Sequence, residues 1–275
     1  MSPRVVVAGA FDDLRSPAVR LLEEASRLGE LSVALWADDV VCARTGRPPK
    51  FPVEERRYLV ESIRFVRAVH VLEAAAGPRD VPTAGGSRAA AWVVAESEAT
   101  ADQRRACAEA GVRLEVVPAS LLSSIPDAAY PALTPRSPGG SRVIVTGCYD
   151  WLHSGHVRFF EEVSALGELY VALGHDENVR ELKGEGHPLF PQTERRYMVQ
   201  SVRFVTRALV STGWGWLDAE PEIDQIQPDI YAVNRDGDKP EKRAFCEARG
   251  IRYVVLERTP RPGLSRRSST DLRGY

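Results

Sequence analysis

Two stretches of the chain repeat the same alternation of apolar strands and amphipathic helices. Each begins with a β-branched run, RVVVAG at 4–9 and RVIVTG at 142–147, which predicts a buried strand. An amphipathic helix, a second strand, a loop, a helix beginning near Glu55 or Glu194, a third strand, another helix and a fourth strand follow. This order predicts an α/β fold, with a parallel sheet flanked by helices and ligands bound beyond the carboxyl ends of the strands.

The two stretches are also similar residue by residue. Residues 4–41 align with residues 142–179 at an offset of 138, and 21 of these 38 positions are identical. After one inserted residue, the match resumes between 51–66 and 190–205. A match of this length predicts the tandem duplication of a whole domain rather than a short-period repeat.

A segment of different composition separates the two copies. Residues 119–140 are rich in Pro, Ser and small residues, and we expect them to form a linker. The expected domains are therefore residues 1–118 and residues 141–275. We expect the two domains to pack on each other as an intramolecular pseudo-dimer, and a homodimer is a further possibility.

Composition and charge exclude several classes of protein. The 275 residues are 44% hydrophobic and 27% charged, which is typical of a globular protein with a core. A formal net charge of −2 argues against a nucleic-acid binder that depends on bulk charge, and no apolar run approaches a transmembrane length. We expect a cytoplasmic protein with no nucleic-acid or membrane partner, whose four cysteines are reduced, buried thiols.

Side chains suited to phosphate follow the first strand of the second copy. His153 and His156 stand three residues apart at the entry to a predicted helix, with Gly155 between them. A helix N-terminus attracts phosphate, and two imidazoles on one face can donate to the same anion. Surface histidines or half of a zinc site are the alternatives, although no Cys or further His pair at zinc spacing completes a metal cage.

The sequence GCYDWLHSGH at 147–156 resembles the G-x-(F/Y)-D-x-x-H-x-G-H signature of the nucleotidyltransferase superfamily. The resemblance is to its cytidylyltransferases, such as those of glycerol 3-phosphate and ethanolamine phosphate, and to their adenylyltransferase relatives. It covers both copies, but the full set of motifs occurs only in the second. It implies two tandem Rossmann-like nucleotidyltransferase domains and a reaction of a nucleoside triphosphate with a phosphorylated acceptor, which releases pyrophosphate.

Further motifs extend the resemblance. KGEGHPLFPQTERR at 183–196 is similar to the lysine and the ER pair of the family, and LERTPRPGLSRRSSTDLR at 256–273 is similar to an RTxGIST-type signature. GWG at 213–215 is similar to glycerol-3-phosphate cytidylyltransferases, where a tryptophan lies near the phosphoalcohol. NRDGDKP at 234–240 takes the place of a short acidic segment, with Asp236 nearest to it.

The resemblance implies roles for particular side chains. Because the attacking phosphate is already an anion, the site needs no general base and must align the phosphates and neutralise their charge. Mg²⁺ is expected as a bridge between phosphate oxygens, although no carboxylate pair identifies its ligands. The expected catalytic residues are His153, His156, Lys183 and Arg258, with Arg267 as the alternative arginine. The expected nucleotide-binding residues are Gly147, Cys148, Tyr149, Asp150, Gly155, Asp236, Ser268, Ser269 and Thr270. The expected substrate-binding residues are Arg195 and Trp214.

Each of these assignments has a structural alternative. Lys183 could be an ordinary loop lysine, and Asp236 an ordinary turn residue. Arg195 has a counterpart in the first copy, so a structural role suits it about equally well. Trp214 could belong to the core, and the Ser268–Thr270 run could be no more than a helix cap.

The first copy lacks the groups that would contact phosphate. At the positions of His153, Gly155 and His156 it has Arg15, Pro17 and Ala18, and at the position of Lys183 it has Thr45. A pyrrolidine ring and a methyl group cannot donate hydrogen bonds to phosphate. We therefore expect the first domain to be inactive and to serve packing, substrate shaping or assembly.

The function predicted from the sequence is transfer of CMP from CTP to a small phosphorylated alcohol or phosphonate. An adenylyltransferase that uses ATP and a sugar phosphate is the alternative, because no residue in the sequence distinguishes cytosine from adenine. A non-catalytic nucleotide-binding scaffold is the second alternative. The intact HSGH sequence and Lys183 count against it.

Overall fold

The computed structural model divides the chain into two units, Met1–Ile125 and Pro126–Tyr275. Each contains a five-stranded parallel sheet with flanking helices, as the sequence predicts. The described residues are 2–73, 80–83, 85–126, 139–257, 259–267 and 272.

The first unit alternates strands and helices. Its sheet has the strand order β3-β2-β1-β4-β5, and every pair of neighbours is parallel. Its elements are β1 (Arg4–Gly9), α1 (Ser16–Ser26), β2 (Glu30–Trp36), α2 (Asp38–Thr45), α3 (Val53–Glu61), β3 (Ala68–Leu72), β4 (Ala91–Ala95), α4 (Ala101–Ala110), β5 (Arg113–Val117) and α5 (Ala119–Ser123).

The second unit has the same succession of strands. Its sheet has the order β10-β9-β6-β7-β8, again with parallel neighbours throughout. Its elements are β6 (Arg142–Gly147), α6 (Ser154–Ser164), β7 (Glu168–Leu173), α7 (Asp176–Lys183), α8 (Gln192–Gln200), β8 (Arg207–Val210), α9 (Glu220–Ile226), β9 (Ile230–Asn234), α10 (Pro240–Ala248) and β10 (Arg252–Leu256).

Read from corresponding edges, the two strand orders are identical. In each unit the first strand lies at the centre, the next two lie on one side and the last two on the other. The direction of the crossovers therefore reverses between β1 and β4, and between β6 and β9. This shared topology supports the proposal of a tandem duplication, and it locates the switch point at which open α/β sheets bind ligands.

The core of the second unit follows from its apolar pattern. Ile144 and Val145 of β6 are completely buried because helices cover both faces of a parallel sheet. On α6, Val157, Phe160 and Val163 recur at three-residue intervals, lie on one face and are completely buried. The apolar run therefore forms the central strand, and the apolar face of α6 packs that helix against the sheet.

One edge of each sheet differs from the sequence prediction. The sequence predicts no strand between the helix that begins near Glu194 and the strand that follows it, and residues 201–210 were expected to be helical. In the structure Arg207–Val210 forms strand β8 beside β7, and Ala68–Leu72 forms the corresponding β3. Val202, Val205 and Leu209 recur at a helix-like spacing, and all three are buried. Pairing with the neighbouring strand overrides this local pattern, so each sheet has five strands rather than four.

Other predicted loops contain helices. The loop expected after the second strand contains α2 in the first unit and α7 in the second, and Lys183 is the last residue of α7. The segment expected to be a linker begins with the short helix α5, whose Leu122 is buried. Residues 127–138 of that segment lie outside the described residues.

The cysteines are free thiols, as the sequence predicts, but their burial differs from the prediction. Cys107 and Cys246 are buried, whereas Cys42 and Cys148 are partly exposed. Burial raises the pKa of the Cys246 thiol to about 11. None of the helices that the structure describes is both long and apolar enough to traverse a bilayer.

Candidate active site

A crevice opens at the switch point of the second sheet. Strands β6 and β7 pair along the whole of β6, whereas β6 and β9 pair only at Val143↔Ile230 and Ile144↔Tyr231. Beyond these pairs β6 and β9 separate toward their carboxyl ends. The Thr146 hydroxyl shares a hydrogen bond of 2.6 Å with the Tyr231 hydroxyl across the gap. The residues that follow β6 therefore border the position where this fold class binds ligands.

The turn after β6 is built around Tyr149. Tyr149 has a left-handed backbone (φ 51°), and its ring lies so close to Gly147 that a Cβ there would come within 3.0 Å of it. Burial raises the pKa of Tyr149 far above its ordinary value. In the first unit, Phe11 (φ 47°) packs on Gly9 in the same way. Because both units share the arrangement, Gly147 and Tyr149 shape this turn.

The two histidines of the motif lie against each other at the start of α6. The ring centroids of His153 and His156 are 3.9 Å apart, with an interplanar angle of 28°. His153 is the N-cap residue, and its Nδ1 accepts a hydrogen bond of 3.1 Å from the Gly155 N–H. That bond leaves Nε2 as the donor of the neutral ring. The edge of Tyr149 packs on His156 at a centroid distance of 5.2 Å, so the turn supports the pair.

Gly155 is required by the packing of the histidine pair. A Cβ at this position would lie 2.9 Å from Cε1 of His153 and 3.3 Å from the carbonyl oxygen of Arg267. The absence of a side chain therefore admits both the His153 ring and the backbone of the C-terminal segment. The structure brings Arg267 to the start of α6.

The other predicted residues of the C-terminal segment lie outside the part of the chain that the structure describes. These residues are Arg258, Ser268, Ser269 and Thr270. Their roles, and the choice between Arg258 and Arg267 as the phosphate-binding arginine, stay predictions.

Asp150 fastens the loop before α8. Its Oδ1 accepts hydrogen bonds from the backbone N–H groups of Leu189 (2.6 Å) and Phe190 (3.1 Å). His187 Nδ1 lies 3.2 Å from Oδ2 of the same carboxylate. In the first unit, Asp12 accepts equivalent hydrogen bonds from the backbone N–H groups at 50 and 51. These contacts give Asp150 a positioning role that does not depend on His153 or His156.

Arg195 is enclosed by the protein. Only 1% of the residue is exposed, and its guanidinium donates to three carbonyl oxygens and to one carboxylate. This geometry does not favour the predicted contact between Arg195 and substrate, because its N–H groups are used within the unit. The acceptors are the carbonyl oxygens of Cys148, Gly174 and Phe190 and Oδ1 of Asp176.

Lys183 lies at a cavity of about 320 Å³ at the carboxyl ends of β6 and β7. The lining includes Gly147, Cys148, Lys239 and Lys242. Burial raises the pKa of the Cys148 thiol, and the charge and hydrogen bond of Lys183 oppose that shift. Three of the chain's four lysines therefore converge on this cavity.

Sequence reasoning did not assign roles to Lys239 and Lys242. The available signal was composition, because only four of the 36 basic residues are lysines. Both residues stand in the segment NRDGDKPEK, where the resemblance drew attention to Asp236. Asp236 itself lies exposed on the turn Arg235–Gly237.

The loop after β8 is held by two polar side chains. Oδ2 of Asp218 accepts hydrogen bonds from the Ser211 hydroxyl (2.6 Å) and from Nδ2 of Asn178 (3.0 Å). Oδ1 of Asn178 accepts a hydrogen bond of 2.8 Å from the Gly215 N–H. This network holds Trp216, which lines the lysine cavity.

Trp214, the predicted substrate residue, lies on a different surface. It is 58% exposed and contacts His175 edge to face, with the ring centroids 4.7 Å apart. Together they line an open groove of about 890 Å³ beside the cavity. The structure therefore brings Trp216, rather than Trp214, together with Lys183.

The described residues offer no ready-made metal cage. Among them, no group of three or more His, Cys, Asp or Glu side chains is arranged to hold a metal ion. A hard cation such as Mg²⁺ prefers oxygen ligands and often takes them from substrate phosphates. Any Mg²⁺ in this part of the chain would therefore depend on oxygens supplied by a bound nucleotide.

Comparisons with known proteins identify the family of this chain. The family model described as "Cytidylyltransferase-like" matches residues 144–274, which lie in the second unit. The "FAD synthase" of Aciduliprofundum boonei is 34% identical over 136 residues, which cover 48% of this chain and 84% of that protein. The chain belongs to the cytidylyltransferase-like family. The predicted superfamily is thereby confirmed, and the protein is an enzyme of the nucleotidyltransferase type.

Further proteins are similar to this chain over 38–43% of its length. The "FAD synthase" of Methanolacinia petrolearia is 36% identical over 118 residues, covering 42% of this chain and 76% of that protein. The "Bifunctional protein HldE" of Methylococcus capsulatus is 43% identical over 106 residues, covering 38% of this chain and 22% of that protein. A solved lipopolysaccharide core biosynthesis protein from Thermoplasma volcanium GSS1 is 27% identical, covers 43% of this chain and 98% of its own, and has a TM-score of 0.38.

Proposed function

We propose that the second unit transfers a nucleotidyl group from a nucleoside triphosphate to the phosphate of a small acceptor. The observation that carries this proposal is the stacked pair of His153 and His156 at the N-terminus of α6. Its position at the switch point of a parallel sheet, beside a cavity that contains Lys183, supports it further.

The reaction requires alignment and charge neutralisation more than acid–base chemistry. An acceptor phosphate oxygen attacks the α-phosphorus, and the bond from that phosphorus to the bridging oxygen breaks to release pyrophosphate. The attacking oxygen is already anionic at neutral pH, so no proton has to be removed from it. Negative charge grows on the bridging oxygen, where donors positioned in advance stabilise it.

The histidines supply such donors. Nε2 of His153 and the imidazole of His156 donate to the phosphates, while the N-terminus of α6 adds its positive dipole. Lys183 neutralises charge from the cavity side. In this proposal Arg258 or Arg267 binds the phosphates from the C-terminal segment, and Ser268, Ser269 and Thr270 contribute hydroxyl donors. A Mg²⁺ ion bound together with the nucleotide would neutralise phosphate charge, and it would take its ligands chiefly from the phosphates, because the described residues offer no ready-made metal cage.

We propose ATP as the nucleotide, with CTP as the second candidate. The sequence motifs favoured CTP, and the description of the family model agrees with them. The relatives named FAD synthase favour ATP, because FAD contains an AMP moiety and they are 32–36% identical to this chain. A phosphorylated alcohol, phosphonate, sugar phosphate or flavin phosphate is the acceptor class that these names and motifs support.

Pyrophosphate release tests this function directly. The purified chain is incubated with Mg²⁺ and each of ATP, CTP, GTP and UTP, against FMN, glycerol 3-phosphate, ethanolamine phosphate and sugar phosphates. We expect acceptor-dependent pyrophosphate release with ATP, and thermal stabilisation by ATP in preference to CTP. Release with CTP alone would overturn the choice of nucleotide. Absence of release with every pair would favour the non-catalytic scaffold.

The first unit is proposed to be inactive. It keeps the loop contacts of Asp12 and the buried guanidinium of Arg56, but Arg15 and Ala18 replace the two histidines. The first unit has thus kept the contacts that hold the fold together but lacks the side chains that would donate hydrogen bonds to phosphate. We propose that the unit contributes packing or assembly rather than a second active site.

A further inference from the structure

The lysine cavity contains more positive charge than the protein itself balances. Lys183, Lys239 and Lys242 all line it, against a single carboxylate in the lining, Asp218. None of the three lysines forms an ion pair within 4 Å with any residue that the structure describes. The Lys242 ammonium donates a hydrogen bond of 3.3 Å to the Gly237 carbonyl oxygen and lies 5.8 Å from the centre of the Tyr231 ring. Both contacts are weak compared with a carboxylate partner.

Two of these lysines occupy positions that are unfavourable for a cation. Lys239 is the N-cap residue of α10, and Lys242 is its third helical residue. A helix N-terminus has positive dipole character and disfavours a positive side chain. Burial, and next the charge of Lys239, lower the pKa of Lys242, while the charges of Asp218 and Asp238 oppose that shift.

The first unit shows how the fold completes this helix without charge. Thr100 and Gln103 occupy the equivalent positions and form a capping box at the start of α4. The Gln103 N–H donates to the Thr100 hydroxyl at 3.2 Å, and the Thr100 N–H donates to Oε1 of Gln103 at 2.7 Å. In place of this stabilising cap, the second unit has the exposed Lys239 and the half-buried Lys242. A bound anion would offset the cost of placing these two cations at the helix N-terminus.

We propose that Lys239 and Lys242 bind the phosphate or phosphonate group of the acceptor, in the cavity beside Lys183. This inference rests on the proposed nucleotidyl transfer and adds the position of its second substrate. The nucleotide triphosphate occupies the histidine pair, and the acceptor anion occupies the lysines. The Gly147–Cys148 segment lines the cavity and leads into the turn that contacts His156, so it joins the two positions.

The cavity also indicates the size of the acceptor. A volume of about 320 Å³ lies at the lower end of the range for ligand pockets, which suits a small phosphorylated molecule. Trp216 supplies a flat apolar wall, and Lys239 and Lys242 lie at the start of α10. The chemistry therefore selects an acceptor with a dianionic end and a compact organic part.

The test replaces the two lysines with their counterparts from the first unit. The double variant Lys239→Thr/Lys242→Gln restores the residue types of the capping box, so it is designed to fold. Binding of inorganic phosphate and of glycerol 3-phosphate is measured by calorimetry for the wild type and the variant, together with binding of ATP and CTP. We expect the variant to bind both phosphates about tenfold more weakly or worse, because it loses two charge-assisted hydrogen bonds. Its nucleotide affinity should be maintained, and its melting temperature should rise rather than fall, because the cap is restored and the half-buried charge of Lys242 is removed.

Two results would overturn the assignment. Equal phosphate affinity in the wild type and the variant would remove the lysine site. A parallel loss of nucleotide affinity in the variant would place the nucleotide, rather than the acceptor, on the lysines. Phosphate binding needs no turnover, so these outcomes are read independently of pyrophosphate release. A wild-type protein that releases no pyrophosphate with any acceptor overturns the proposed function instead.

Discussion

Arg195 of the second unit and Arg56 of the first make the same hydrogen bonds in domains of different site chemistry. Each guanidinium is buried and donates to three carbonyl oxygens: one directly after the first strand, one at the end of the second strand and one just before the helix that contains the arginine. It also donates to the aspartate carboxylate at the start of the preceding helix. The first unit lacks the histidines, yet it keeps this arrangement intact. The shared role is therefore to join three segments of the fold.

Arg195→Lys should destabilise the second unit, and Arg56→Lys should destabilise the first to a similar extent. A lysine ammonium cannot reproduce the planar guanidinium fork, so buried carbonyl oxygens would lose their donors. The free energy of unfolding should fall by about 2–4 kcal/mol in each case, as measured by denaturant titration. If Arg195→Lys raised KM but left the free energy of unfolding unchanged, the predicted contact between Arg195 and substrate would be supported instead.

His156→Ala should remove most nucleotidyl transfer without unfolding the protein. The side chain is only half-buried, whereas its imidazole is a proposed donor to the phosphates. We expect kcat to fall about 100-fold or more, with an unchanged circular dichroism spectrum. The counterpart of His156 in the first unit is already an alanine, Ala18, so the control is Arg15→Ala at the position of His153, which should leave the rate as it is. An undiminished rate in His156→Ala would refute the assigned role.

Gly155→Ala should reduce activity through His153. The new Cβ would lie 2.9 Å from the His153 ring, so the ring has to move away from its position against His156. We expect a roughly tenfold to 100-fold loss of kcat and little change in melting temperature. Pro17→Ala, the equivalent change in the first unit, serves as the comparison. Full activity of Gly155→Ala would show that the stacked geometry is not needed.

The stability of the protein should depend on pH through Lys242. Its folded pKa lies below the usual 10.5, chiefly because of burial and next because of Lys239. The burial cost is therefore fully present below the folded pKa, and it disappears as the pH rises to 10.5, where the unfolded chain also loses its proton.

Melting curves from about pH 7 to about pH 11 would show this dependence. The variant Lys242→Gln should be more stable than the wild type near neutral pH, and its advantage should shrink toward alkaline pH. Saturating phosphate should abolish the stability difference between the variant and the wild type, because a bound anion stabilises the charged form of Lys242. A stability difference that is the same at every pH would contradict the proposed cost of burying the Lys242 ammonium.

Some elements around the site could be predicted from the local sequence, and others could not. The apolar run before Gly147 and the face formed by Val157, Phe160 and Val163 are local features, and they sufficed to predict a strand, a helix and the entry between them. Leu209 stands at a helix-like spacing from Val202 and Val205, yet it lies in strand β8. This strand forms because the edge of β7 is available for pairing. A short edge strand of this kind depends on its partner rather than on its own sequence.

The sequence by itself determined the α/β class, the repeated pattern and the motif that carries His153 and His156. These follow from hydrophobic periodicity and from residues adjacent in the chain. Only the tertiary structure decided that Arg195 is enclosed, that Trp216 lies with Lys183, and that two lysines from the start of α10 reach the same cavity. The physical reason is that parallel strands bring their carboxyl ends to one edge of the sheet. Residues distant in sequence then meet there, and no periodicity within a single segment encodes which of them do.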